Sequence, residues 1–464
     1  MLQVGKGFNM NDRSTIIKTL IEDFHATVLP AHLQRMLDRD LDLGKPLEPA
    51  PGNLVKVVVG MRRSGKTYRL FQQIRDLIAS GISPDRICYF NFDDDRLRPF
   101  SADLVDKVIE SFFELHPTSR SKGAYLFFDE IQEVPHWDIA ARRIVDTEKA
   151  TIYVTGSSSK MLSTDVATEF RGRSISYELL PFSFSEYARF HGIDCDGATT
   201  SHDKEQASLL KNACRHYLVQ GGFPGVQQLS DNERVAALQS YAQFTVSRDV
   251  VERYGFSNAA YAQNLARISI ASSGRDFSIS KIDSLGKNAG YTPGRAKIAA
   301  MLDAFEDAHM LHQVYAFSHS SQKVRLGGFK LYSEDPGLFC ALSPAPNDGL
   351  TRALETAVYL EMRRQASTRI GSIAMLKLKS GKEIDFIEGD EAFGVAYGLI
   401  QVSFNMRNEA TRQREISALQ EAMARFDREK GVIITLDEES RIAVDEGVIE
   451  VVPAWKWLLG DERL

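Results

Sequence analysis

Residues 60–67 read Gly60-Met61-Arg62-Arg63-Ser64-Gly65-Lys66-Thr67, a complete G-x-x-x-x-G-K-[ST] string. The apolar run 54–59 ahead of it predicts a buried strand, and residues 68–74 behind it repeat apolar side chains at helical spacing. In that strand–loop–helix setting the glycines let successive backbone N–H groups curl around an anion, and the helix N-terminus adds a favourable dipole. Lys66 is placed to reach the outer phosphates of a nucleotide, and the Thr67 hydroxyl to ligate magnesium. A glycine-rich turn alone is common. The full string in this context predicts an α/β nucleotide-binding domain on a parallel sheet, with residues 60–67 and Tyr68 forming the cradle.

Three further landmarks extend the site. Residues 86–92 (RICYFNF) read as a second strand, followed by Asp93-Asp94-Asp95, which is either a solvated loop or a group near the nucleotide. Residues 124–128 (AYLFF) are an apolar run closed by Asp129-Glu130. In a parallel sheet the C-terminal strand ends face the ligand, so Asp129 would hold the magnesium and Glu130 would polarise the attacking water. Residues 151–159 (TIYVTGSSS) are another buried strand running into a polar loop. Ser157 or Ser158 would sense the terminal phosphate or the lytic water, or else cap the helix suggested by Lys160-Met161-Leu162. Arg171, Arg173 and Arg248 are candidates for an arginine supplied in trans between subunits, the bland alternative for each being an ion pair within the chain.

Composition limits the rest. With 464 residues the chain is too long for a single core, so two or three domains are expected. The net charge of −6 gives no global attraction to nucleic acid, so any such contact needs a local basic face. No stretch approaches the roughly 20 apolar residues that span a bilayer, and the N-terminus lacks the apolar core of a secretory signal. Cys88, Cys195, Cys214 and Cys340 share no C-x-x-C spacing and read as reduced thiols. The expectation is a cytoplasmic protein with no membrane contact.

The succession GMRRSGKT, YLFFDEIQEVPHW, TIYVTGSSSKMLS, FRGRSISYELLPFSFSEY and YLVQGGFPGV resembles a family of prokaryotic AAA+ ATPases. Members of that family carry a C-terminal domain of unknown function numbered 4143. The resemblance runs over nearly the whole chain and implies ATP as the nucleotide, with magnesium. A homo-oligomer is expected, since a trans arginine makes sense only in an assembly.

Residues 1–50 read as an N-terminal helical segment and 51–185 as the ATPase domain. Residues 186–335 read as a helical region with a winged-helix-like part: three short helices between 261 and 311, then two strand-like runs at 312–317 and 329–332. Arg295, Lys297, Lys323, Arg325 and Lys330 would give this part a basic face for DNA phosphates; the alternative is a lid or assembly module. Residues 336–464 follow the order of a restriction-endonuclease-like fold. Glu355 and Glu361 lie on a predicted helix, Glu383 and Asp385 on a strand, and Gln401-x-Ser403 stands where that fold places E-x-K. An amide for the acid and a hydroxyl for the lysine weaken metal binding and water activation, which favours a nuclease-inactive version. Trp455 and Trp457 read as packing residues.

Two functions follow. One is an oligomeric ATPase motor or switch acting on DNA, including branched DNA. The other is a nucleotide-dependent signalling or protein-remodelling ATPase whose appended domains bind proteins.

Overall fold

The computed structural model describes residues 10–34, 36–157, 170, 172–195, 204–288, 294–318, 328–344, 349–366 and 371–460. The chain divides into two compact units. The first comprises Met1–Met61 and Gly65–Leu179; the second comprises Arg62–Ser64 and Leu180–Leu464.

Five strands build the first unit's sheet: β1 (Val55–Val59), β2 (Ile87–Asn91), β3 (Ala124–Asp129), β4 (Ala150–Gly156) and β5 (Ser174–Glu178). All pair in parallel, in the order β2-β3-β4-β1-β5. Strand residues alternate between two cores, as the period-2 geometry of a strand requires. Val55, Val57, Val59, Leu126 and Phe128 face one core, closed by the helices Met10–Asp23, Leu104–Leu115 and Trp137–Thr147. Val58, Tyr125, Phe127 and Tyr153 face the other, where the helix Lys66–Ala79 buries Leu70, Phe71, Ile74 and Leu77. Each of those four side chains contributes about 1.5–3 kcal/mol by leaving water.

Lys56 interrupts the valines of β1 and is buried. Its ammonium donates to the carbonyls of Leu43, Gly44 and Lys45 at 2.5, 3.2 and 2.9 Å, which fastens the preceding segment across the sheet. Burial lowers its pKa from the usual lysine value. Asp93-Asp94-Asp95 resolves as a solvated turn: Asp94 accepts from the Arg96 backbone N–H at 3.0 Å and pairs with its guanidinium at 2.7 Å.

The second unit starts helical, with Lys204–Gln220 and Asp231–Thr245. Three further helices and a small sheet follow. Helices Ala259–Ala271, Ile279–Asn288 and Arg295–Asp307 accompany an antiparallel sheet of order β6-β8-β7, made of β6 (Asp276–Phe277), β7 (Leu311–Tyr315) and β8 (Phe329–Ser333). After the helix Gly349–Ala366 comes a mixed sheet of six strands. These are β9 (Ser372–Lys377), β10 (Glu383–Asp390), β11 (Val395–Val402), β12 (Lys430–Thr435), β13 (Ser440–Val444) and β14 (Gly447–Pro453), in the order β13-β14-β12-β11-β10-β9. The helix Glu409–Phe426 covers it through Leu419 and Met423, which pack with Leu399, Ile433 and Val451. Trp455 and Trp457 are buried, as packing residues should be. Among the described residues, no helix is long and apolar enough to cross a membrane.

Two turn motifs far apart in sequence close on each other in this unit. Asp335 caps the helix Pro336–Leu342 by accepting the Leu338 N–H at 2.9 Å, and its other oxygen accepts the Gly222 N–H at 2.5 Å. The approach needs bare backbone. A Cβ on Gly222 would stand 2.2 Å from the Phe182 carbonyl oxygen, and one on Gly337 would stand 2.2 Å from that of Gln220. Burial raises the Asp335 pKa to about 6, opposed by the backbone N–H groups that solvate the carboxylate.

Because the Phe182 obstacle is backbone, Gly222→Ala is expected to destabilise the protein by about 2 kcal/mol or more. Gly255→Ala, at φ +67° with nothing within 4 Å, should cost only about 1 kcal/mol from the left-handed backbone. Denaturant midpoints of the two variants check the difference, and equal costs would refute the packing argument.

Candidate functional site

The phosphate loop leaves β1 at Gly60, whose φ of 154° favours glycine, and enters the helix Lys66–Ala79 through Gly65, at φ 104°. Arg63 also sits at positive φ, 71°. Lys66 is buried, and its ammonium lies across the loop, donating to the Gly60 and Met61 carbonyls at 3.0 and 3.2 Å and standing 3.5 Å from Glu130 Oε1. Thr67, the next residue, turns its hydroxyl onto Asp129 Oδ2 at 2.7 Å. The Lys66-Thr67 and Asp129-Glu130 pairs, 62 residues apart in sequence, therefore meet at one point.

Asp129 is the centre of this cluster. It is fully buried at the end of β3 and accepts from three hydroxyls: Thr67, Tyr89 at 2.8 Å, and Thr155 on its other oxygen. Burial raises its pKa above the usual carboxylate value, the neighbouring Glu130 charge raises it further, and the three hydroxyls oppose the shift. Tyr89 is held far above an ordinary tyrosine by the same burial, so it acts as a donor.

Glu130 adopts φ 51°, uncommon for a side chain with a Cβ, which swings it off the strand line and beside Lys66. Its backbone N–H donates to Thr155 Oγ1 at 2.9 Å. Gln132 Nε2 donates to Glu130 Oε2 at 2.5 Å and lies 3.5 Å from Ser157 Oγ. Ser157 is thus brought to the cluster, one residue past the end of β4.

Tyr89 and Gln132 are the members that sequence reading missed, and Thr155 was read only as the start of the polar loop. Thr155 carried a usable signal, being a polar residue near the end of an apolar strand. Tyr89 lies inside a strand and Gln132 just past one; neither carried a signal.

The other candidates are placed as follows. Tyr68, in the first turn of the helix, points its hydroxyl at His32 Nδ1, 2.9 Å away. Met61 and Ser64 are buried. Arg62 pairs with Asp249 at 2.7 Å, and Arg63 lies over the Tyr241 ring. Arg173 pairs with Asp146 at 2.6 Å, and Arg248 with Glu252 at 2.8 Å, both within the chain. Ser158 and Arg171 lie outside the described residues.

The expected DNA face is corrected in part. Lys330 does not face solvent; its ammonium contacts Glu355, Glu383 and Asp385. Arg295 is exposed, Lys297 is half-buried, and Lys323 and Arg325 lie outside the described residues. In the C-terminal sheet Gln401 is turned inward, accepting the Asp385 N–H at 3.2 Å and donating to Glu415 at 2.7 Å. Ser403 donates to the Asn405 carbonyl. Glu361 pairs with Arg364, away from the other acids. Among the described residues, no group of three histidine, cysteine or acidic side chains is arranged to hold a metal ion.

Comparison with known proteins agrees with the first unit and alters the reading of the second. A family profile described as an AAA domain matches residues 52–188. A second, for a domain of unknown function numbered 8612, matches residues 211–349. This differs in number and position from the C-terminal domain 4143 implied by resemblance. The Walker-type ATPase PABY2304 of Pyrococcus abyssi superposes with a TM-score of 0.39 at 12% identity, over 73% of this chain and 99% of that one. The Haemophilus influenzae relative, an uncharacterized protein, is 25% identical over 91% of this chain and 99% of its own length. The uncharacterized protein MJ1544 of Methanocaldococcus jannaschii is 33% identical over 458 residues, 97% of each chain. At that identity and coverage, the chain belongs to the same family of AAA-domain proteins as MJ1544.

Proposed function

We propose that the protein binds ATP with magnesium and hydrolyses it, working as an oligomeric motor or switch on DNA. The observation that carries the ATPase reading is the 2.7 Å contact between the Thr67 hydroxyl and the Asp129 carboxylate, with Lys66 and Glu130 beside it. Buried hydroxyl and carboxylate oxygens are the donor set a hard divalent cation takes, so Thr67 and Asp129 fit magnesium. When bound, magnesium would neutralise charge on the outer phosphates.

The chain's own groups account for the remaining tasks. Backbone N–H groups at the start of the helix Lys66–Ala79 bind phosphate oxygens, and the Lys66 ammonium exchanges loop carbonyls for the outer phosphates. Glu130 accepts the proton of the attacking water, oriented by Gln132 and by Thr155 through its backbone N–H. Ser157 hydrogen-bonds the terminal phosphate or that water. An arginine from a neighbouring subunit completes the site, with Arg171, Arg173 and Arg248 the candidates.

Action on DNA rests on the winged-helix-like part, whose three short helices precede a small antiparallel sheet. A protein-remodelling or signalling ATPase is the second reading. The inward turn of Lys330 favours it, since it takes one cation from the proposed DNA face.

Lys66→Ala is expected to weaken ATP binding by about tenfold or more, the loss of one charge-assisted contact of about 1.5–3 kcal/mol. Glu130→Gln should retain binding while turnover falls about a hundredfold. Thr155→Val should also bind ATP and lose about tenfold in turnover, because Asp129 and the Glu130 backbone each lose a partner. Fluorescent-nucleotide titration and phosphate release separate these outcomes, and normal hydrolysis by Glu130→Gln would remove its assigned role. For DNA, turnover should rise on adding duplex or branched DNA, with binding that weakens as salt increases. Turnover indifferent to every DNA, with no salt-sensitive binding, would favour the protein-remodelling reading.

A further inference from the structure

Lys330 lies in β8, the central strand of its small sheet, where every residue is buried. Residues two apart on a strand share a face, so Lys330 and Tyr332 point the same way. Both reach Glu355 Oε1, the Tyr332 hydroxyl donating at 2.6 Å and the Lys330 ammonium at 3.3 Å. Glu383 and Asp385, likewise two apart on β10, present their carboxylates to the same ammonium at 2.7 and 3.2 Å. Three acids from one helix and one strand thus converge on a single cation from a third element. The cation is only 8% exposed.

The remaining polar groups reinforce this arrangement. Asp385 Oδ2 is occupied by the Val402 N–H at 2.9 Å, which leaves Oδ1 for Lys330. Gln401 is committed to the Asp385 backbone and to Glu415, so its amide does not compete for the cation. One positive charge against three carboxylates leaves an excess of negative charge. Burial and the Asp385 charge accordingly raise the Glu355 pKa above the usual carboxylate value, opposed by Lys330 and by the Tyr332 hydroxyl.

We propose that Glu355, Glu383 and Asp385 form a cation site that the chain fills with its own Lys330, so that this acidic centre joins β8 to the C-terminal sheet and takes up no divalent metal. A tethered ammonium excludes a free cation sterically and electrostatically without supplying the second charge or the open positions that metal-assisted hydrolysis needs. The C-terminal sheet would then be a structural or binding element, not a nuclease. This inference does not depend on nucleotide turnover: its site shares no residue with the phosphate loop.

The test uses the full chain without nucleotide, with manganese as the probe, followed by calorimetry and by thermal unfolding. The wild-type protein is expected to show no manganese site that Asp385→Asn removes. Lys330→Met removes the cation but keeps the stem, leaving oxygen donors suited to a hard metal. It should unfold earlier than wild type, acquire a manganese site that wild type lacks, and recover stability when manganese is added. Lys330→Met/Asp385→Asn should lose that manganese dependence.

Should Lys330→Met fail to fold, the double variant, with one negative charge fewer, is expected to fold. Failure of both would overturn the charge-compensation argument. The proposal is also overturned if folded Lys330→Met gains no manganese affinity. A wild-type protein that binds manganese through Asp385, or cleaves DNA in an Asp385-dependent way, would overturn it as well.

Discussion

Whatever the first unit does with a phosphate depends on the parallel register that sets β1, β4 and β3 side by side. Val58 lies opposite Thr155, and Phe128 opposite Val154, so the three strands end at one level. That level brings Thr67 of the phosphate loop and Thr155 within hydrogen-bonding reach of Asp129, although these residues lie far apart in the chain. A one-residue slip of β4 would turn Thr155 away from Asp129 and expose the carboxylate to an apolar neighbour. The Thr155 hydroxyl enforces the register locally: it donates to Asp129 and accepts from the Glu130 N–H. The strained φ of Glu130 is tolerated because its N–H is already tied to the neighbouring strand.

Asp335 and Glu355, two of the acids buried in the second unit, are accommodated by different means. Asp335 is solvated by backbone N–H groups at a helix start and a glycine turn, so its partners carry no net charge. Glu355 meets a hydroxyl and a shared ammonium. Neutral donors can stabilise one carboxylate where the backbone is bare enough to approach, which is why glycines surround Asp335. Three carboxylates cannot be served that way, because their mutual repulsion grows in a low-dielectric interior. A full positive charge is the remaining solution, and Lys330 supplies it.

Legibility from sequence followed the range of the interactions. The loop, its lysine and threonine, and the Asp129-Glu130 pair lie in short strings whose spacing encodes their chemistry. The order of helices and strands was readable from periodicity, as were the buried tryptophans. Pairings between distant segments were not. Nothing in the strings GGFP and DPGL says that Asp335 accepts from Gly222, 113 residues away. Tyr89 looked like any aromatic in a strand, since its face is fixed only once the sheet is assembled. Tyr68 is similar: its hydroxyl partner, His32, lies 36 residues away, and nothing in the loop string signals it.

Lys330 shows why composition misleads most where charge is buried. A lysine in the short strand FKLYS reads as the polar face of a surface hairpin, because lone lysines in strands are usually solvated. That inference holds only for a strand with one face open. β8 has β6 and β7 along its edges, and all five of its residues are buried, so neither face is open. The partners that make this burial tolerable lie 25 to 55 residues further on, where their own spacing suggests a catalytic pattern. Read together, the surplus lysine of one element and the surplus acids of another explain each other, and the missing lysine of Gln401-x-Ser403 ceases to be the deciding feature of that domain.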